Sequence, residues 1–289
     1  MNKTNTEIQF ETEEELSQKA QFRIIGLSRS GNHAIINWIL NQLNGRFCFL
    51  NCTEPKHNPY STARPLNQED GKVYRTNIPD FDLQQEQAGK FSKKDYLLYN
   101  HEDCFLGPLQ KTEKNGLDEH WLGASAIKKD ILILRDPFNL FASRIKAGLL
   151  RGHYPGHGGK PISVKTLQRI YKQHAREFLD NKYLQHKVLV NYNSWTSNRE
   201  YRREISNELE IPFSDEGFKE VSNVAGGSSF DGTLYSGQAQ KMNLHDRWKK
   251  FAGDKEFWQM FDAEMVDLCI KIFGKIPPVA FAEANLLSS

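Results

Sequence analysis

The stretch FRIIGLSRSGNHAIINWILNQL, residues 22–43, decides how this chain is read. It opens with an apolar β-like run, Phe22-Arg23-Ile24-Ile25-Gly26-Leu27. A short Ser/Arg/Gly loop follows, and then a long helical pattern. Glycines let such a loop curl with its N–H groups pointing inward, and the helix start adds a positive dipole. The stretch predicts a phosphate-binding loop between a strand and a helix.

Outward from it, further strands are expected at 46–51 (RFCFLN), 96–100 (YLLYN), 131–134 (ILIL) and 187–192 (KVLVNY). Helices are expected at 32–43, from Pro137, at 164–183, at 195–209 and at 255–273, with a short one at 214–221. Pro55, Pro59, Pro65 and Pro79 break the pattern between 53 and 94. That region reads as an insertion of short elements over the sheet edge or the substrate side. The alternation predicts an α/β fold in three layers, with a mostly parallel central sheet of about five strands flanked by helices. Residues 1–20 are polar and expected to be loosely ordered, and 21–289 to form a single domain. Ligands of such sheets gather at the carboxyl ends of the strands. That rule selects the segments after Leu27, Asn51, Asn100, Leu134 and Tyr192.

The chain has 289 residues, 38% hydrophobic and 26% charged, enough for a packed core without covalent staples. Its 38 basic and 36 acidic residues nearly cancel, which argues against a dedicated nucleic-acid surface. Cys48, Cys52, Cys104 and Cys269 form no CxxC pair and no Cys/His zinc spacing, so reduced thiols and no metal are expected. No apolar run is long enough to span a bilayer, and the acidic N-terminal segment lacks the apolar core of a signal peptide. A cytoplasmic location is the expectation.

Gly26 to Gly31 has the GxxxxG frame of a Walker A loop, but Asn32-His33 stand where that motif continues Lys-Ser/Thr. The lysine would neutralise phosphates and the hydroxyl would bind Mg²⁺, so a nucleoside triphosphatase or kinase is disfavoured. A cation is present earlier, at Arg29. Taken alone, the frame fits a plain glycine turn equally well. A second anion site adds weight. Arg135 leaves the strand 131–134 at its carboxyl end, and Ser143 lies eight residues on, about two helical turns. The two can converge on one anion beside the sheet.

LSRSGNHAIINWI and ILRDPFNLFASR together resemble the sulfotransferases that use 3′-phosphoadenosine-5′-phosphosulfate (PAPS). The resemblance implies a P-loop NTPase-like sulfotransferase fold. The first motif would hold the 5′-phosphosulfate, and Arg135 with Ser143 the 3′-phosphate. Arg rather than Lys in the first motif is familiar among carbohydrate-modifying members; Ala34 stands where the commonest cytosolic group often has Trp. VLVNY at 188–192 with Ile211-Pro212 resembles a further family segment, with Asn193 in place of its acidic residue. Ser228-Ser229-Phe230, Gln240-Lys241 and Asp246-Arg247-Trp248-Lys249 resemble the late segment that covers the nucleotide. The resemblance thus implies nucleotide contacts from Tyr192, Ser228 and Phe230. Lys241, at the position of that segment's leading Arg, would be a second cation at the 3′-phosphate. The likeness spans roughly 22–273 and is absent between 53 and 94.

Sulfonyl transfer needs a base for the acceptor and stabilisation of the leaving phosphate. The resemblance places the base at Tyr99-Asn100-His101-Glu102-Asp103. His101 is the first choice, since an imidazole titrates near neutrality. Glu102 is the alternative, and Asp103 would orient His101. Arg29 would contact the bridging oxygen and the sulfonyl group. Ser30, Gly31, Asn32 and His33 would wrap the 5′-phosphate by backbone N–H, with His33 neutral at the helix start. The loop 151–161, with His153 and His157, reads as a mobile cover or an anionic-acceptor site, and equally as a solvated loop. The expected product is adenosine 3′,5′-bisphosphate, and no metal is required. A non-catalytic nucleotide-binding protein of the same fold is the reading from another class. The acceptor, a small molecule or a carbohydrate, has no readable code, and neither has the oligomeric state.

Overall fold

The computed structural model describes residues 16–67, 71–150, 162–274 and 277. Most of the expected loose N-terminal segment, the loop 151–161 with His153 and His157, and the end of the chain lie outside them.

Six strands form one sheet: β1 (Gln18–Gly26), β2 (Phe47–Leu50), β3 (Tyr74–Thr76), β4 (Lys94–Glu102), β5 (Ser125–Leu134) and β6 (Lys187–Asn191). Their order is β3-β2-β4-β1-β5-β6. All neighbouring pairs are parallel except β2 with β3. The sheet is therefore mixed but mostly parallel. All five expected strands are present. The sixth, β3, sits in the proline-broken region as a three-residue antiparallel edge. So short a strand leaves too little periodicity to be read in sequence.

Eleven α-helical segments are described: α1 (Asn32–Leu40), α2 (Pro59–Thr62), α3 (Leu83–Gln87), α4 (Leu106–Lys114), α5 (Leu117–Leu122), α6 (Pro137–Lys146), α7 (Val164–Leu179), α8 (Tyr192–Ser197), α9 (Arg199–Glu208), α10 (Lys255–Trp258) and α11 (Ala263–Phe273). The expected helix at 195–209 is two, because Asn198 breaks it and caps α9 on Glu200 and Tyr201. The expected 255–273 helix is likewise divided, with Asp262 capping α11. Residues 216–219 form a 3-10 turn.

Parallel strands must be buried on both faces, which explains their apolar runs. One face of β1, Phe22 and Ile24, packs with Ile35, Ile36 and Trp38 of α1 and with Leu98 and Ile131. The other face carries Ile25 and Leu132 against Leu106 and Leu109 of α4. Helices thus cover both faces. Arg23 breaks the apolar run of β1 yet is buried. Its guanidinium grips Asp130 through Nε (2.6 Å) and Nη2 (2.8 Å), and reaches Asp118 (3.0 Å) and Glu113 (2.9 Å). The chain leaves β1 toward β2 on one side, and β5 toward β6 on the other. The loop after β1 therefore lies at a reversal of strand order, on the carboxyl edge, where such sheets bind ligands.

Candidate functional site

The loop after β1 curls as expected, but by a different residue plan. Arg29 (φ 74°) and Gly31 (φ 92°) both take left-handed backbone. At Gly31 the space matters too. A Cβ there would meet the Tyr192 ring at 2.0 Å. The Ser30 N–H closes a turn onto the Leu27 carbonyl (3.0 Å), so it is not turned toward a ligand as the sequence reading had it. The Ser30 hydroxyl is instead the group at hand: it is fully buried and has no partner among the described residues. The N–H groups of Asn32 and His33 open α1, ahead of its own hydrogen-bond ladder.

Two side chains beneath the loop hold its shape. Asn32 is buried, and its Nδ2 donates to the Leu27 carbonyl (3.1 Å) and to Glu102 Oε1 (2.7 Å). Asp103, at φ 54° just past β4, accepts from the Ser28 N–H (3.0 Å) and from Arg144 Nη1 (2.7 Å). Arg144 Nη1 also donates to the Ser28 carbonyl (3.1 Å). Asp103 therefore braces the loop, and does not orient His101. Arg144 directly follows Ser143, but nothing in its spacing marked it as a brace.

On one side of the loop the guanidinium groups gather. Arg135, 2% exposed, donates from Nη1 to the Arg29 carbonyl (3.2 Å) and to Ser143 Oγ (3.2 Å), and from Nη2 to the Leu244 carbonyl (2.7 Å). It lies over the Tyr192 ring, 5.2 Å from the centroid. Tyr192 stacks in turn on Trp195. Arg247 donates to the same Ser143 Oγ (3.0 Å), to Ser228 Oγ (2.7 Å) and to Asp231 Oδ2 (3.3 Å), and sits over the Phe230 ring. Arg29 Nη1 donates to the Gly227 carbonyl (3.0 Å). Burial, together with the nearby charge of Arg135, pushes the Arg247 pKa down to about 10.

The structure brings Arg29, Arg135, Ser143, Tyr192, Ser228 and Phe230 together. It does not bring in Lys241, which is exposed on a 3-10 turn at 239–241. Arg247 stands against Ser143 instead. Its segment was visible in sequence, but its distance along the chain from Arg135 gave no sign of the contact.

On the other side of the loop, β4 separates the two proposed bases. Successive strand residues face opposite ways. Glu102 points to the α1 face, where Asn32 holds it. His101 points to the opposite face, edge-on to Tyr99. Its Nδ1 bonds the Thr53 carbonyl at 2.9 Å; a carbonyl only accepts, so that nitrogen carries the hydrogen. Burial pushes the His101 pKa down to about 4. His33 is partly exposed and bonds Asn51 Oδ1 through Nε2 (2.9 Å). It touches the end of β2 rather than only offering its N–H.

No family model matches the chain, and no curated protein matches it. Among solved structures it is similar to the sulfotransferase domain from the Synechococcus PCC 7002 olefin synthase. The identity is 14% and the TM-score 0.38, with 97% of this chain and 98% of that chain covered. At that TM-score the likeness carries no argument. Among the described residues, no His/Cys/Asp/Glu group is placed to hold a metal ion. No described helix is long and apolar enough to cross a membrane.

Proposed function

We propose that this protein is a sulfotransferase that moves a sulfonyl group from PAPS to a hydroxyl or amine of a small-molecule or carbohydrate acceptor. The observation that carries the reading is the Ser143 hydroxyl shared by Arg135 and Arg247. Two buried guanidiniums on one hydroxyl repel each other, and among the described residues only Arg247 of the two meets a carboxylate, Asp231 at 3.3 Å, so the pair still favours a further anion. A phosphate monoester supplies that charge, and Arg guanidiniums match its geometry.

The residues present fit the donor. Arg135, Arg247, Ser143 and Ser228 would hold its 3′-phosphate, with Tyr192 and Phe230 as neighbouring rings. The buried, unpartnered Ser30 hydroxyl and the first-turn N–H groups of α1 would take the 5′ side. When bound, PAPS supplies an activated sulfonyl group on a phosphate leaving group. Arg29, at the loop's left-handed turn, stabilises the negative charge growing on the bridging oxygen. The sulfonyl group leaves that oxygen and bonds the acceptor oxygen or nitrogen. Glu102 takes the acceptor's proton, and the Asn32 amide holds that carboxylate beside the helix start. The base passes from His101 to Glu102 because His101 lies on the other sheet face.

Calorimetry tests the donor. Adenosine 3′,5′-bisphosphate should bind without Mg²⁺, and ATP poorly; the reverse order sinks the reading. Glu102→Gln should abolish turnover with bisphosphate affinity intact, whereas His101→Gln should keep turnover.

A further inference from the structure

Asn51 fixes the hydrogen on His33. The asparagine is 3% exposed and held from four directions. Its backbone N–H donates to the Val73 carbonyl (3.1 Å), and its own carbonyl accepts from the Arg64 N–H (2.7 Å). Its Nδ2 donates to the Arg64 and Pro65 carbonyls, both at 3.1 Å. An amide nitrogen has two hydrogens, and both are used. The amide cannot be turned over without setting its oxygen against two carbonyls. Its Oδ1, an acceptor only, therefore faces His33 Nε2 at 2.9 Å. That contact is a hydrogen bond only if Nε2 carries the hydrogen, which in the neutral ring leaves Nδ1 with a lone pair.

His33, held at the end of β2, and Glu102, the last residue of β4, then offer the same chemistry at the ends of neighbouring strands. Asn32, next in the chain to His33, binds Glu102, while His33 binds the residue just past β2. β2 and β4 are neighbours in the sheet, and their ends are laced together. The Cys52 N–H donates to Asn100 Oδ1 (2.8 Å) and the Thr53 N–H to the Asn100 carbonyl (2.8 Å). Adjacent strands lie about 4.8 Å apart. Glu102 and His33 Nδ1 are thus two hydrogen-bond acceptors on one polar edge, among Asn32, Asn51, Cys52 and Asn100.

We propose that His33 Nδ1 accepts a hydrogen bond from the molecule that receives the sulfonyl group, and that Asn51 is its positioning residue. The acceptor is then a molecule with two neighbouring O–H or N–H groups. One gives its proton to Glu102, and the other is held by His33. This rests on the sulfotransferase reading. A lone hydroxyl satisfies one of the two sites and leaves the other unmatched.

Two measurements on the full chain test it. Ring-nitrogen NMR on histidine-labelled protein should show His33 as the Nε2–H tautomer. Asn51→Leu, which removes the accepting oxygen, should lose that preference. With PAPS as donor, cyclohexanol and its vicinal diol serve as probes differing by one hydroxyl. The diol should be turned over about tenfold faster or more. His33→Ala, which keeps the backbone N–H, should erase that preference through the KM for the diol. An Nδ1–H tautomer in the unmodified protein overturns the proposal. So does equal turnover of the two alcohols, or turnover of neither, when the bisphosphate binds. Failure of the bisphosphate to bind removes the sulfotransferase reading itself, and this inference with it.

Discussion

Arg247 Nη1 donates to Ser143 Oγ at 3.0 Å, across 104 residues of chain. That bond joins the last third of the protein to the helix following β5, and it places a second guanidinium beside Arg135. Arg247→Ala should therefore weaken binding of adenosine 3′,5′-bisphosphate by about 1.5–3 kcal/mol, the range for a hydrogen bond to a charged group. Lys241→Ala, at an exposed position, should leave affinity nearly unchanged. Calorimetry on the two variants decides between the two cations.

Asp231 should act in the opposite sense. Its carboxylate meets Arg247 at 3.3 Å, and the Ser228 hydroxyl donates to it at 2.9 Å. A bound phosphate would compete with it for Arg247. Asp231→Asn should therefore tighten bisphosphate binding, by roughly tenfold where a desolvated charge pair is given up. Weaker binding in this variant would show that the carboxylate holds the segment in its binding shape.

The brace under the loop predicts a stability effect. Arg144, 2% exposed, spans Asp103 and the Ser28 carbonyl. Among the described residues, Arg144→Met leaves the Asp103 carboxylate with one hydrogen-bond partner, the Ser28 N–H. Breaking such a buried pair costs about 3 kcal/mol. Urea unfolding should show the loss. Nucleotide affinity should fall as well, since the brace positions the loop.

Two buried histidines make the fold sensitive to acid. Burial pushes His101 and His174 each from an ordinary 6.5 to about 4. His174 is fully buried, with Nε2 on the Cys104 carbonyl (2.8 Å). Both folded values lie below the unfolded ones. The unfolded chain therefore takes up protons first as pH falls, and stability is lost between about pH 6.5 and 4. Each histidine contributes a slope of about 1.4 kcal/mol per pH unit across that window. Denaturation midpoints measured at pH 7.5 and pH 5 should differ accordingly, and His174→Gln should flatten the dependence.

Much of this was legible in the chain itself. Period and composition marked all five parallel strands, because a strand buried on both faces must be apolar along its length. The glycine loop, Arg29, Arg135 and Ser143 could be read because strand ends and helix turns are local geometry. The short edge strand β3 and the break at Asn198 could not, since three residues or one cap carry too little periodic signal.

The sequence by itself determined the α/β layering, the loop between β1 and α1, and the eight-residue step from Arg135 to Ser143. Only the tertiary structure decided which groups meet there. It set Arg247 rather than Lys241 on Ser143, turned Asp103 onto Ser28, and put His101 and Glu102 on opposite faces of one strand. It also bound His33 to Asn51. Local spacing fixes where a side chain leaves its own element. Contacts between segments a hundred residues apart depend on how the elements pack, which no short stretch of sequence encodes.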